Sequence, residues 1–257
     1  MLTDKTISST YKDVLSIENS NNGFDTTIKQ IKSGNGNGSP IYLDTSRMIV
    51  KGIADVTNAL VVKDKDDNAL FQVDATNDAV KALGNHVNTQ FKEFGLFDFS
   101  PTQAYHYPMI SNNMMFSDSG DDFIADNGFG NGADPATSLD VSGATPKIIT
   151  ACLWYLENAI TIDAVRAIAT CDSSHDLNFH VFSYDLDTSS NHGDLSNGTL
   201  LAHIGTVISA TAATIKTGSL TIDSASVSAN KVILAFVENE GGTGDITCQL
   251  SVKYHLT

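Results

Sequence analysis

The chain is poor in cysteine, tryptophan, proline and basic residues. Of 257 residues, three are Cys, one is Trp and five are Pro, and 15 Lys and Arg stand against 30 Asp and Glu. Cys152, Cys171 and Cys248 form an odd, scattered set with no CxxC pair. That argues against a disulfide framework or a zinc knuckle and fits folding in a reducing cytosol. The formal net charge of −15, with Lys and Arg clustered nowhere, argues against a surface built to hold nucleic acid or anionic lipid heads. Apolar runs long enough to span a bilayer are missing. The opening MLTDKTISSTYKD lacks a basic head followed by an apolar stretch, so signal-peptide export is not expected. Helical periodicity is almost missing too, and only residues 88–94 (NTQFKEF) are expected to form a short helix.

What the sequence has in quantity is short β-prone pulses between polar turns. In the first 84 residues, strands are expected at 14–17, 26–32, 41–43, 48–50, 59–63, 69–74 and 79–83. Turn chemistry separates them: 19–23, the glycine-rich SGNGNGS at 33–39, and Asp66-Asp67-Asn68. Each strand offers little apolar surface against a backbone ordering cost of roughly 1–2 kcal/mol per residue. An isolated hairpin is marginal in water. Such a module becomes plausible when identical chains share one core, and a homotrimer is the expected form. The alternative is packing of these strands on the C-terminal domain of the same chain.

From Lys147 the strand signal lengthens. KIITACLWYL, AITIDAVRAIATC, DLNFHVFSYDLD, TLLAHIGTVIS, TIKTGSLTID, KVILAFVE and DITCQLSVKY follow one another with turns between. Strict alternation puts Ile246, Cys248, Leu250, Val252, Tyr254 and Leu256 on one face of the last segment. The expected fold is all-β: a short-strand intertwined module, then an antiparallel sandwich or jelly roll. The expected divisions are 1–52 (particle-attachment module), 53–87 (short shaft), 88–100 (linker with an aromatic plug at Phe91, Phe94, Phe97 and Phe99) and 101–257 (head). Residues 101–145 read as a long polar loop.

Motifs that carry chemistry are scarce. SGNGNGS has the glycines of a dinucleotide fingerprint but is followed by Pro40 and another strand, so it reads as a turn. DKDDN at 64–68 opens like an EF-hand loop, yet Ala69 and Ala75 stand where Gly and Glu are required. Asp118, Asp121, Asp122 and Asp126, and separately Asp185, Asp187 and Asp194, read as solvated acids rather than a cation site. The seven histidines show no HExxH or HxH spacing, and no GxSxG elbow occurs. Glu157 or Asp163 would need a second carboxylate for glycoside cleavage. Trp154 reads as core rather than a sugar platform. No catalytic residue, metal ligand or cofactor is assigned, and enzymatic activity is not expected.

Two segments carry a resemblance. YKDVLSIENSNNGFDTTIKQIKSGNGNGSPIYLDTSRMIVKG resembles the N-terminal part of fibre and decoration proteins of tailed bacteriophages through Lys12, Asp13, Val14, Leu15, Asn19, Gly23, Thr27, Gly34, Gly36 and Ser39. ALVVKDKDDNALFQVDATNDAVKALG resembles the V-x-D-x-x-G-N-x-L-F-x-V-D units of their stalks, with Asp67 where such units often carry Gly. The C-terminal region is similar to the sandwich heads of the same class. The resemblance implies a trimeric virion protein, attached through its N-terminus to capsid or tail proteins and displaying its head outward. It implies particle attachment near Tyr11, Lys12, Asp13 and Leu15. Contact with a receptor, such as a host cell-surface glycan, would fall on the loops carrying Asp118, Asp121, Asp122, Asn127, Phe129, Asp187 and His192. A capsid spike or decoration fibre is expected first. A short tail fibre, a glycan-cleaving spike and a trimeric sandwich of cellular origin stand as alternatives.

Overall fold

The structure is a computed structural model that describes residues 15–17, 23–52, 54–111, 150–187 and 194–257. The chain divides into two compact units, 1–87 and 88–257.

The first unit holds two antiparallel meanders. One runs β1 (Leu15–Ile17), β2 (Lys29–Ser33), β3 (Gly38–Leu43) and β4 (Met48–Val50). The other runs β5 (Leu60–Lys63), β6 (Ala69–Asp74), β7 (Ala79–Ala82) and β8 (Asn85–His86). Both follow the expected strands within a few residues. Tight turns set their register. In SGNGNGS, Gly36 takes φ +80° and its N–H reaches the Ser33 carbonyl at 2.8 Å. In DKDDN, Asp67 itself adopts φ +66°, so the position where stalk units carry Gly keeps the left-handed turn with a short polar side chain.

The second unit is a two-sheet sandwich. Its strands begin with β9 (Thr89–Phe99), β10 (His106–Pro108), β11 (Trp154–Tyr155), β12 (Ile160–Cys171), β13 (Ser174–Asp187) and β14 (Asp194–His203). They end with β15 (Ile208–Thr211), β16 (Lys216–Ser219), β17 (Thr221–Ile222), β18 (Ser226–Val227), β19 (Lys231–Thr243) and β20 (Ile246–Leu256). One sheet has the order β16-β12-β20-β9, with β18 also on β12. The other has the order β10-β19-β13-β14-β17, with β11 on β19 and β15 on β13. If β10 and β11 are one interrupted strand and the small flanking strands β15, β17 and β18 are set aside, eight positions remain. In chain order the sheets then read 6-3-8-1 and 2-7-4-5. This is the jelly-roll order, with only the fourth and fifth strands joined within one sheet.

Alternation fills the space between the sheets. Phe94, Val165, Ala167, Leu250 and Val252 from one sheet meet Phe179, Val181, Ile233, Ala235 and Val237 from the other in a single buried cluster. The last strand buries Ile246, Cys248, Leu250, Val252 and Tyr254 as its alternation predicts, while Leu256 turns out to solvent. Trp154 packs against this core, tilted on Tyr254 at a ring separation of 4.8 Å. Cys152, Cys171 and Cys248 are free and buried. Burial pushes the Cys152 and Cys248 thiols up to about 12.

Residues 88–100 are neither helix nor linker. Thr89–Phe99 is a full edge strand of the head, paired with β20 from Thr89 opposite His255 to Phe99 opposite Ile246. The three-residue spacing of Phe91, Phe94 and Phe97 imitates a helical stripe. The real pattern has period two: Phe94 and Leu96 are buried, while Phe91 and Phe97 are 63% and 82% exposed. Gly95 in the middle further disfavours a helix. The plug is thus half core and half surface, and the head begins at Asn88 rather than at Pro101.

This assignment gives Phe94→Ala a cost of about 3–5 kcal/mol and Phe97→Ala a change within about 0.5 kcal/mol. Urea unfolding followed by fluorescence of the single Trp154 checks both, because its ring lies 6.4 Å from that of Phe94.

Candidate self-association surface

The described residues of the 1–87 unit form almost no interior. Among its described residues, Ala79 is the buried apolar side chain, and Asp44 and Asp74 are the buried polar ones. The register explains where the remaining apolar side chains go. Leu60, Val73 and Val80 stand in one row across β5–β7, and Val62, Phe71 and Ala82 stand in the next. Alternation places all six on one face, and Leu60, Val62, Phe71 and Val80 are exposed. In the first meander, Ile41 pairs with Val50 and Leu43 with Met48. That row pair also leaves Ile41, Met48 and Val50 exposed. Among the described residues, each sheet thus has an apolar face left exposed without a second layer.

Without a core, the turns do much of the ordering, and four of them use the same device. An aspartate at the turn entrance accepts hydrogen bonds from backbone N–H groups two to four residues on. Asp25 Oδ1 accepts from Thr27 at 2.6 Å. Asp44 Oδ1 accepts from the Ser46 and Arg47 N–H groups at 2.7 and 2.9 Å. Asp64 Oδ1 accepts from Asp66 and Asn68 at 2.8 and 2.9 Å. Asp74 Oδ1 accepts from Thr76 and Asn77 at 3.2 and 3.1 Å. These bonds favour the ionised carboxylates. The Ser46 N–H, then the Arg47 guanidinium at 2.8 Å, hold Asp44 at about 2. The Asn68 amide lowers Asp64, and the Asn77 amide lowers Asp74. The EF-hand-like DKDDN is therefore a self-satisfied hairpin turn.

Of the residues implied by resemblance, Leu15 opens β1 and is 70% exposed. Asp187 ends β13, with its backbone opposite Asp194. Tyr11, Lys12, Asp13, Asp118, Asp121, Asp122, Asn127, Phe129 and His192 lie outside the described residues. Asp163 occupies an irregularity in the β12–β20 ladder, and its carboxylate meets His255 Nδ1 at 3.0 Å. The head also carries an open groove of about 650 Å³ lined by Thr206, Ser209, Lys216, Thr217, Ser219 and Thr221 among others. Lys216 is the ionisable side chain among its lining residues, so the groove lacks an acid–base pair. The fold also gathers His106, His180 and Glu238. Linear spacing could not reveal that group, because its members come from β10, β13 and β19.

No protein-family model matches the chain, and no curated protein matches it. Among solved structures, one match is titled "Structure of infectious bursal disease virus Gx strain", at 10% identity and a TM-score of 0.25. It covers 88% of this chain, and this chain spans 43% of that one. A likeness at that score fixes neither the fold nor the function of this protein.

The turn carboxylates set a pH dependence for the 1–87 unit. Asp44 is held below its ordinary 3.8, so its contribution is fully present above about pH 4 and is lost as pH falls through about 2. Carboxyl-carbon NMR titration should place the Asp44 midpoint about two units below that of a free aspartate. Asp44→Asn should loosen the β3–β4 turn, read as faster amide exchange at Ser46 and Arg47.

Proposed function

We propose that this protein is a structural component of a virion surface. In this reading it is a homotrimer in which residues 1–87 of three chains share one β-rich core and residues 88–257 form a displayed jelly-roll head. The observation that carries it is the pair of apolar strand faces in 1–87 without a second layer. Burying a large apolar side chain is worth about 1.5–3 kcal/mol, and this unit leaves most of that undrawn within one chain. Identical copies supply the missing layer most simply, because a face that is apolar in one chain is apolar in all. The phage-fibre resemblance of the same segments supports the virion setting and an outward-facing head. A capsid spike or decoration fibre fits the short shaft, and a short tail fibre is the second form of the same reading. Residues 118–134 and 187–197 are the proposed places for contact with a host surface, since 101–111 are taken up by β10 and the buried residues around it.

Size-exclusion chromatography with light scattering should give three times the chain mass of 27.4 kDa. The double substitution Val62→Asp with Phe71→Asp should reduce the protein to monomer while Trp154 still reports a folded head. A monomer from the unaltered chain, with the amides of β5–β7 protected from exchange, would overturn the shared core. Antibody raised against the head should decorate purified particles, and particles that never carry the protein would overturn the virion reading.

Of the net charge of −15 per chain, residues 1–87 contribute −2 (9 Lys and Arg against 11 Asp and Glu) and residues 88–257 contribute −13, so association through 1–87 is apolar in origin and the electrostatic opposition comes chiefly from the 88–257 parts. Raising salt from about 0.05 to about 0.5 M should therefore tighten the oligomer, because screening shortens to a few ångströms. Loosening with salt, measured by sedimentation, would point to ion pairs instead.

A further inference from the structure

Part of the outer face of the seven-stranded sheet, on the side away from the sandwich core, is itself buried. Phe182, Tyr184, Leu195, Val232, Leu234 and Phe236 form a second apolar cluster there. Along β13 and β19 that face changes character. His180 precedes Phe182 and Tyr184 in the same alternation, and Glu238 follows Val232, Leu234 and Phe236 on the antiparallel β19. The adjoining β10 places His106 directly opposite Glu238 and Pro108 opposite Phe236, while β13 places His180 opposite Phe236. His106, His180 and Glu238 thus share one face of three adjacent strands, with 0%, 4% and 8% of their surfaces exposed.

The geometry points to a metal site. One ligand atom from each of the three residues lies within 4.8 Å of the other two. His106 Nε2 and Glu238 Oε2 are 3.3 Å apart. That is the edge of a tetrahedron with metal–ligand bonds of about 2.0–2.1 Å. The two imidazole rings have centroids 5.1 Å apart and are tilted by 43°, so both can turn a nitrogen toward one point. Each of the other two edges needs to close by at most about 1.5 Å to reach the same geometry.

We propose that His106, His180 and Glu238 bind one divalent transition metal, zinc by preference, with a fourth position left to water. Two imidazoles and one carboxylate suit a borderline cation such as zinc and do not suit calcium or magnesium. The ion's mechanical effect is specific. β10 has only three residues, and a bound ion clamps it through Glu238 of β19 to His180 of β13. The site is independent of the trimer.

The test uses the full, tag-free chain, stripped with a chelator and reloaded with zinc sulfate or cobalt chloride. After gel filtration, elemental analysis should find about one metal per chain, and the cobalt form should absorb in the visible as a four-coordinate N/O site does. X-ray absorption of the cobalt form should show two imidazoles. Glu238→Gln and His180→Gln should each weaken retention at least about tenfold, with circular dichroism confirming a folded sheet. The proposal is overturned by an unaltered chain that retains no metal from micromolar zinc, by fewer than two imidazoles in the absorption spectrum, or by retention unchanged in both folded variants. Should a variant fail to fold, the loading and spectrum of the unaltered chain decide alone.

Discussion

A β-sheet satisfies its backbone within its own plane, but its apolar face is satisfied only by a second layer. The two units of this chain differ on that point above all. In 88–257 the second layer is another sheet of the same chain, and β12, β13, β19 and β20 are long because each is packed along its length. In 1–87 the strands run three to six residues apart from the two-residue β8, and ladder bonds and turn carboxylates carry the order that packing carries elsewhere. Length follows from burial. A strand with a supported face can afford many ordered residues, and one without it stops early.

The seven-stranded sheet shows how one element can serve two interiors. Its inner face is mostly aliphatic, with Phe179 and Tyr107 among the aliphatic side chains, and completes the sandwich core. Its outer face runs from aromatic to ionisable along β13 and β19, ending at His180 and Glu238. Because strand neighbours alternate, the inward Phe179 and Val181 fix which way His180 points. The position of these ionisable groups is thus a by-product of core alternation.

Much of the architecture was legible in the sequence, because alternation and turn chemistry are local signals. The strands of 1–87, the Gly36 turn, the DKDDN hairpin and the burial phase of β20 all follow from neighbouring residues. Residues 88–100 were misread for a related reason. Phe91, Phe94 and Phe97 satisfy a helical spacing, and only the partner strand β20 shows that Phe94 and Leu96 share the buried face. Metal-capable residues were illegible for a deeper one. His106, His180 and Glu238 lie up to 132 positions apart in the chain, and only the pairing of β10 and β13 on either side of β19 brings them together. Most of the positions implied by resemblance lie outside the described residues.

The three cysteines have a practical corollary. All are sealed in the head, and two have thiols held near 12, far from the thiolate form that reacts with electrophiles. The folded molecule is therefore silent toward maleimides under ordinary labelling conditions. A new cysteine at an open position such as Phe97 would be a unique handle for a dye or a cargo, with no native thiol to be removed first.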